Sequence, residues 1–360
     1  MIRRILVAIP SKYRGFVEEE LSLVKTIYDS SNYVIDHFYV RRPNPKYYLP
    51  YDRILGIKDE NDIETLVVMD ILKPRHYINL YRILRREIID RMQLILKIFA
   101  LHAGSKEAKL QIELARLRHE LPLIKEAIRY AKLGELHGFL GGGRYGFEKY
   151  YTMAKKRMAR IRKEINELRR IREIRRRNRE KLGYPHISIV GYTCAGKTTL
   201  FNRLTRQYKP VGPEPFTTLS PKASSLVYDG HKIILIDTVG FIRDIPPEII
   251  EAFYATLEEV VYSDLIISVV DSSRRLGDIR AEIRSMKEIF SHIGVHGKPM
   301  VYALNKIDLI NGGRVNEIIK FMVKELGIER KYIVPISAYK GTNIDKLLNT
   351  IYDILGYNAE

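Results

Sequence analysis

The chain has 360 residues, of which 46% are apolar and 29% charged, with a formal net charge of +18. That length exceeds one ordinary core and suits two or three domains, and the positive surplus favours a polyanionic partner, nucleic acid first and an acidic membrane surface second. A single cysteine, Cys194, excludes an intramolecular disulfide and a cysteine-built zinc site. A cytoplasmic setting is expected, and no run of about 20 apolar residues is present that could cross a membrane.

In chain order, residues 1–85 alternate short apolar runs with amphipathic stretches. Ile5 to Ile9, Tyr33 to Val40 and Leu66 to Asp70 read as strands, and 17–29 as a helix. A small α/β domain is expected there. From 86 to 182 the period becomes that of long helices. Leu110, Leu114, Leu117, Leu121, Ile124, Ile128 and Ala131 recur at alternating steps of four and three, an apolar seam of coiled-coil type. Pro122 lies inside it and is expected to kink or interrupt the helix. A second stretch, about 149 to 180, repeats the spacing with Met158, Ile161, Ile165 and Leu168. The two seams most simply bury each other as an antiparallel hairpin, joined by a glycine-rich loop over 138–146. Residues 149–182 hold fifteen Lys and Arg against four acidic residues, a surplus of eleven out of the chain's eighteen. A merely solvated helix would mix the signs, so contact with a phosphate backbone is expected.

Gly183-Tyr184-Pro185 ends the helix. Residues 183–360 then alternate strands at 186–190, 224–228, 232–237, 265–271, 299–304 and 332–335 with helices near 197–206, 246–260, 276–292, 313–326 and 343–355. That spacing suits a doubly wound, mostly parallel sheet.

Three motifs sit at strand ends of this last region. Gly191-Tyr192-Thr193-Cys194-Ala195-Gly196-Lys197-Thr198 follows a strand and opens the helix that continues with Thr199. Its glycines let backbone N–H groups wrap phosphates at a helix N-terminus, Lys197 can neutralise phosphate oxygens, and the Thr198 hydroxyl can ligate Mg²⁺. Asp237-Thr238-Val239-Gly240 closes another strand, forty residues after Lys197, where a carboxylate can hold the Mg²⁺ shell and a glycine amide can sense the terminal phosphate. Asn305-Lys306-Ile307-Asp308 follows a third. Asp308 can accept from the N1–H and amino group of guanine together, a pairing adenine cannot supply, while Lys306 packs across the base and Asn305 ties this loop to the phosphate loop. Ser337-Ala338 resembles the loop whose backbone reaches the guanine 6-oxygen. Between the first two motifs, Phe216-Thr217-Thr218 occupies the place of a switch segment, with Thr218 preferred over Thr217 as a further Mg²⁺ ligand. The motifs therefore predict a GTP- and GDP-binding, Mg²⁺-dependent, GTP-hydrolysing protein, with Lys197, Thr218, Asp237 and Gly240 as its catalytic candidates. Phe241 stands where a water-orienting Gln would help hydrolysis, so a slow intrinsic rate is expected. Cys194 lies near a helix N-terminus, where a thiolate is favoured, and its alkylation is expected to compete with nucleotide.

With these residues in view, the chain resembles the translation-factor-related branch of P-loop GTPases, and within it the HflX family. The resemblance rests on Gly191-Tyr192-Thr193-x-Ala195-Gly196-Lys197, Phe216-x-Thr218-Leu219-x-Pro221 and Asp237-Thr238-Val239-Gly240-Phe241-Ile242. In the N-terminal half it rests on the runs Asp90 to Ala100 and Lys109 to Ala115. The family usually has Asn where this chain has Cys194, and a Gly-Pro-Gly-Glu-type signature where it has Gly141 to Glu148. The resemblance implies a small N-terminal α/β domain (1–85), a long antiparallel helical hairpin (86–182) and a Ras-like P-loop GTPase domain (183–360). It also implies association with ribosomes, chiefly the large subunit and its rRNA, by a protein expected to be monomeric. A GTP-regulated module for structured RNA or an acidic membrane surface, unrelated to translation, is the alternative.

Overall fold

A computed structural model of the chain describes residues 3–132, 143–180, 183–206, 222–244, 246, 249–250 and 254–357. They fall into two compact units, Met1–Leu101 with Lys109–Leu168, and His102–Ala108 with Arg169–Glu360.

The first unit opens with β1 (Arg3–Pro10), α1 (Val17–Ile27), β2 (Tyr33–Val40), α2 (Tyr51–Asp59), β3 (Ile63–Val68), α3 (Pro74–Leu84) and β4 (Glu87–Asp90). The strands form a parallel sheet in the order β2-β1-β3-β4. β1 is buried from Ile5 to Pro10 because it lies inside a sheet covered on both faces, which is why it reads as one apolar run. β2 sits at the edge and is largely exposed. The sheet continues past residue 85: β4 is only four residues long and merges in pattern with the apolar helix behind it, so periodicity does not reveal it. α2 and α3 likewise lay outside the sequence reading. α3 starts at Pro74, whose missing N–H costs nothing at a first helical position.

The long helices are α4 (Arg91–His102), α5 (Lys106–Lys132) and α6 (Gly143–Glu180). Leu110, Leu114 and Leu117 of α5 pack against Ala154, Met158, Ile161 and Ile165 of α6, with Leu121 and Leu168 at the margin. Glu113 pairs with Arg157 and Glu120 with Tyr150, so the two helices run antiparallel. The rest of the α5 seam turns elsewhere, Ile124 and Ala127 joining Ile78 of α3 and Phe147. α5 passes Pro122 as one continuous helix, so of the kink or interruption expected there the interruption does not occur. One backbone bond is lost at the proline, but the turns before and after it are each held in an apolar cluster.

The second unit contains β5 (His186–Gly191), α7 (Lys197–Thr205), β6 (Lys222–Tyr228), β7 (His231–Asp237), α8 (Tyr254–Tyr262), β8 (Leu265–Asp271), α9 (Leu276–Ile293), β9 (Met300–Asn305), α10 (Gly312–Leu326), β10 (Ile333–Pro335) and α11 (Ile344–Ile354). The sheet order is β10-β9-β8-β5-β7-β6, parallel except for β6, which pairs antiparallel with β7. This is the doubly wound, Ras-like arrangement. The chain leaves β5 for β7 on one side and returns to β8 on the other, so a crevice opens beyond the carboxyl ends of β5 and β8. Gly191, Asp237, Asp271 and Asn305 are the last residues of β5, β7, β8 and β9. The topology thus brings three separate sequence motifs to one rim.

Candidate nucleotide site

The phosphate loop joins β5 to α7. Gly191 has φ +146°, and a Cβ there would collide with the Val269 carbonyl of β8. Gly196 has φ +95°, and its Cβ would collide with the Asn305 side-chain amide. Only glycine satisfies both demands at either position. Cys194 is exposed, with φ +62°. α7 begins at Lys197, so its first-turn N–H groups lack intrahelical partners and form an anion-ready end. Lys197 is buried and donates to the Tyr192 carbonyl at 2.5 Å. Burial pushes its pKa down to about 8, although Asp237 pulls the other way. Phosphate oxygens would relieve that cost by offering the ammonium a full negative partner.

The Thr198 hydroxyl donates to Asp237 Oδ2 at 3.2 Å, and Asp237 is fully buried at the end of β7. Two hard oxygens so placed fit Mg²⁺, which keeps several waters and takes phosphate oxygens beside one or two protein ligands. Phe216, Thr217 and Thr218 lie outside the described residues. Thr238 anchors its segment by donating to the Ile189 carbonyl at 2.7 Å, and Val239 is buried. A Cβ on Gly240 would come within 2.9 Å of Lys197 Nζ and 3.0 Å of Thr193 Cα. The following residue is stitched to the phosphate loop by two backbone bonds, Thr193 N–H to the Phe241 carbonyl at 2.8 Å and Phe241 N–H to the Gly191 carbonyl at 3.0 Å. The Phe241 ring is fully buried, edge-on to Phe290.

At the far side, Asn305 donates to the Ala195 carbonyl at 2.8 Å and accepts from the Ala338 N–H at 2.9 Å. One buried amide therefore ties the phosphate loop to the Ser337-Ala338 turn. Lys306 adopts φ +66° and donates to Asp271 Oδ2 at 2.7 Å. Asp271 is itself oriented by the Ser273 N–H and hydroxyl on its other oxygen. Asp308 follows in a single 3₁₀ turn, Ile307–Leu309, at the mouth of the same crevice. Thr199 lies in the first turn of α7. Every described candidate from the three motifs is thus gathered at the strand ends.

Sequence reasoning did not single out Asp271 or Arg203. Asp271 ends an apolar strand just as Asp237 and Asn305 end theirs, which is a usable signal. Arg203, which donates to the backbone of the Ser337 turn, lies in an ordinary amphipathic helix and carries none.

A phosphate loop, an Asp-x-x-Gly turn and an Asn-Lys-x-Asp loop on the strand ends of a Ras-like sheet define a GTP-binding P-loop GTPase. Residues 186–306 match the family described as 50S ribosome-binding GTPase, 102–179 the GTP-binding GTPase middle region, and 17–100 the GTP-binding GTPase N-terminal region. GTPase HflX of Saccharolobus solfataricus is 44% identical over 346 residues, covering 95% of this chain and 96% of its own length. GTPase HflX of Hyperthermus butylicus is 44% identical over 352 residues, covering 95% and 94%. A solved GTP-binding protein of Sulfolobus solfataricus in complex with GDP is similar over 98% of this chain and 99% of its own, with 36% identity and a TM-score of 0.53. The chain belongs to the HflX family of GTPases.

Proposed function

We propose that this GTPase is a nucleotide-operated switch that binds the ribosome, chiefly the large subunit and its RNA, through α6. The observation that carries the reading is the division of that helix into two faces. Ala154, Met158, Ile161 and Ile165 are buried against α5. Lys155, Lys156, Arg160, Arg162, Lys163, Arg169 and Arg170 are exposed around the remainder. Cations so arranged meet a phosphate backbone without disturbing the hairpin. The family description of residues 186–306 as a 50S ribosome-binding GTPase supports the same partner.

In this reading Lys197 and the start of α7 hold the phosphates, while Asp308, Lys306 and the Ser337 turn hold the guanine. Thr198 and Asp237 would hold Mg²⁺, with Thr218 completing the protein ligands; when bound, the ion neutralises charge developing on the phosphates. Gly240 senses the terminal phosphate through its N–H. Phe241, buried beside Phe290, cannot orient the attacking water, so intrinsic hydrolysis is slow and the bound partner completes the site. A route for the signal to α6 is available: Arg172 pairs with Glu107 and with Glu258 of α8, and Arg176 lies 3.7 Å from Glu258 and 3.5 Å from the Tyr262 ring centroid. The Gly240 turn precedes α8, which begins at Tyr254.

The test is co-sedimentation with purified ribosomal subunits, with a non-hydrolysable GTP analogue or with GDP. Large-subunit binding is expected to be stronger with the analogue and to fall at least ~10-fold between 50 and 200 mM salt. GTP turnover should rise on adding large subunits. Binding to acidic vesicles with none to ribosomes would overturn the proposal in favour of a membrane-surface module.

A further inference from the structure

Arg203 stands in the last turn of α7, and its side chain reaches the turn that carries Ser337 and Ala338. Its Nε donates to the Ala338 carbonyl at 3.2 Å, and its Nη2 donates to the Tyr339 carbonyl. Gly341, at φ +82°, lies beside the guanidinium, whose carbon a Cβ there would meet at 3.6 Å, ordinary van der Waals contact. Within the turn, the Gly341 and Thr342 amides both donate to the Ser337 carbonyl, at 2.7 and 3.1 Å, and the Lys340 amide donates to Ser337 Oγ at 3.1 Å.

In a trans peptide the carbonyl and the next N–H point to opposite sides. Holding the Ala338 and Tyr339 carbonyls toward α7 therefore turns the Tyr339 and Lys340 amides away from it. Ser337 Oγ takes the Lys340 amide, and Asn305 takes that of Ala338. The Tyr339 N–H is left aimed to the side of the turn opposite Arg203. A planar guanidinium can grip two successive carbonyls as a fork; an ammonium offers one point of attachment.

We infer that Arg203 is a positioning residue for base selection, which sets the backbone amide of this turn as the donor to the 6-oxo group of guanine. The inference rests on reading the crevice as a guanine-nucleotide site. It adds a second determinant of specificity, independent of Asp308: Asp308 faces the N1–H and 2-amino edge, and Arg203 acts on the 6-oxo edge through the loop.

The experiment compares GDP with 6-thioguanosine diphosphate, in which sulfur replaces only the 6-oxygen and leaves the edge facing Asp308 intact. Dissociation constants are measured by calorimetry with Mg²⁺ for the wild type, Arg203→Lys and Arg203→Ala, with thermal midpoints of the nucleotide-free proteins. Sulfur is a poorer acceptor, so the wild type should prefer GDP by about tenfold. Arg203→Ala should lose about tenfold in GDP affinity but little for the thio analogue, collapsing the preference toward one, and Arg203→Lys should fall between. An unchanged preference in Arg203→Ala overturns the inference, whether both affinities persist or fall together; so does a wild type that does not discriminate. If Arg203→Ala does not fold, Arg203→Lys alone decides, since it must still narrow the preference. A wild type that bound neither nucleotide would instead refute the guanine-nucleotide reading itself.

Discussion

Replacing Asn305 by alanine removes both polar partners that hold the phosphate loop to the Ser337 turn. The Ala195 carbonyl loses a donor at 2.8 Å, and the Ala338 amide loses an acceptor at 2.9 Å. Asn305 is only 3% exposed, so neither group regains bulk water freely. Each buried group left without a bond costs about 1–3 kcal/mol, and partial recovery by a trapped water puts the total near ~3 kcal/mol. If the cost falls on the bound state, in which both loops must be held at once, GDP affinity drops on the order of 100-fold. The aspartate variant is the sharper probe. It keeps the acceptor for Ala338 but sets a carboxylate oxygen against the Ala195 carbonyl at the present 2.8 Å. Asn305→Asp should therefore be at least as damaging as Asn305→Ala, although its shape is conserved. Titration calorimetry with GDP and Mg²⁺ measures this, with nucleotide-free thermal unfolding as a control for the fold. An aspartate variant binding GDP within about threefold of the wild type would show that the bond to Ala195 contributes nothing, and the reasoning would fail.

Asp308→Asn should lose GDP affinity by about 100-fold or more and gain affinity for xanthosine diphosphate, whose 2-oxo group the new amide can meet; retained guanine preference in competition binding would exclude Asp308 from base recognition. Lys197, its pKa lowered to about 8 from 10.5, gives a pH signature. Because the fold disfavours the ammonium, the nucleotide-free protein should gain stability as pH rises from about 8 toward 10.5, while GDP affinity, which needs the cation, should fall toward tenfold per unit above about pH 8. Flat GDP affinity between pH 7 and 9 would contradict that. Phe241→Ala should cost about 3–5 kcal/mol of stability through the cavity it leaves beside Phe290. Phe241→Gln should likewise destabilise without raising single-turnover hydrolysis, and a faster rate would mean that the side chain can reach the water.

What the amino-acid sequence determined by itself was whatever depends on near neighbours. The phosphate loop is a contiguous turn, and its conformation follows from glycines at 191 and 196, whose φ values only glycine adopts without strain. The α5 and α6 seams are legible because a helix puts residues three and four apart on one face, and Leu110, Leu114 and Leu117 do meet Ile161 and Ile165. The β/α alternation of the second unit followed from strand and helix periods in the same way. Tertiary structure decided the rest. β4 escaped because four residues carry too little period to stand out, and only pairing with β3 makes them a strand. α5 survives Pro122 because clusters from other elements hold it on both sides. Arg172 and Arg176 count as two of the fifteen cations of residues 149–182 in the sequence, yet they pair with acids brought to them by the fold. Asp271 finds Lys306 across 35 residues and Arg203 finds Ala338 across 135, distances set by the order of strands in the sheet. Local pattern reports which face a residue shares with its neighbours; only topology reports which distant partner stands opposite.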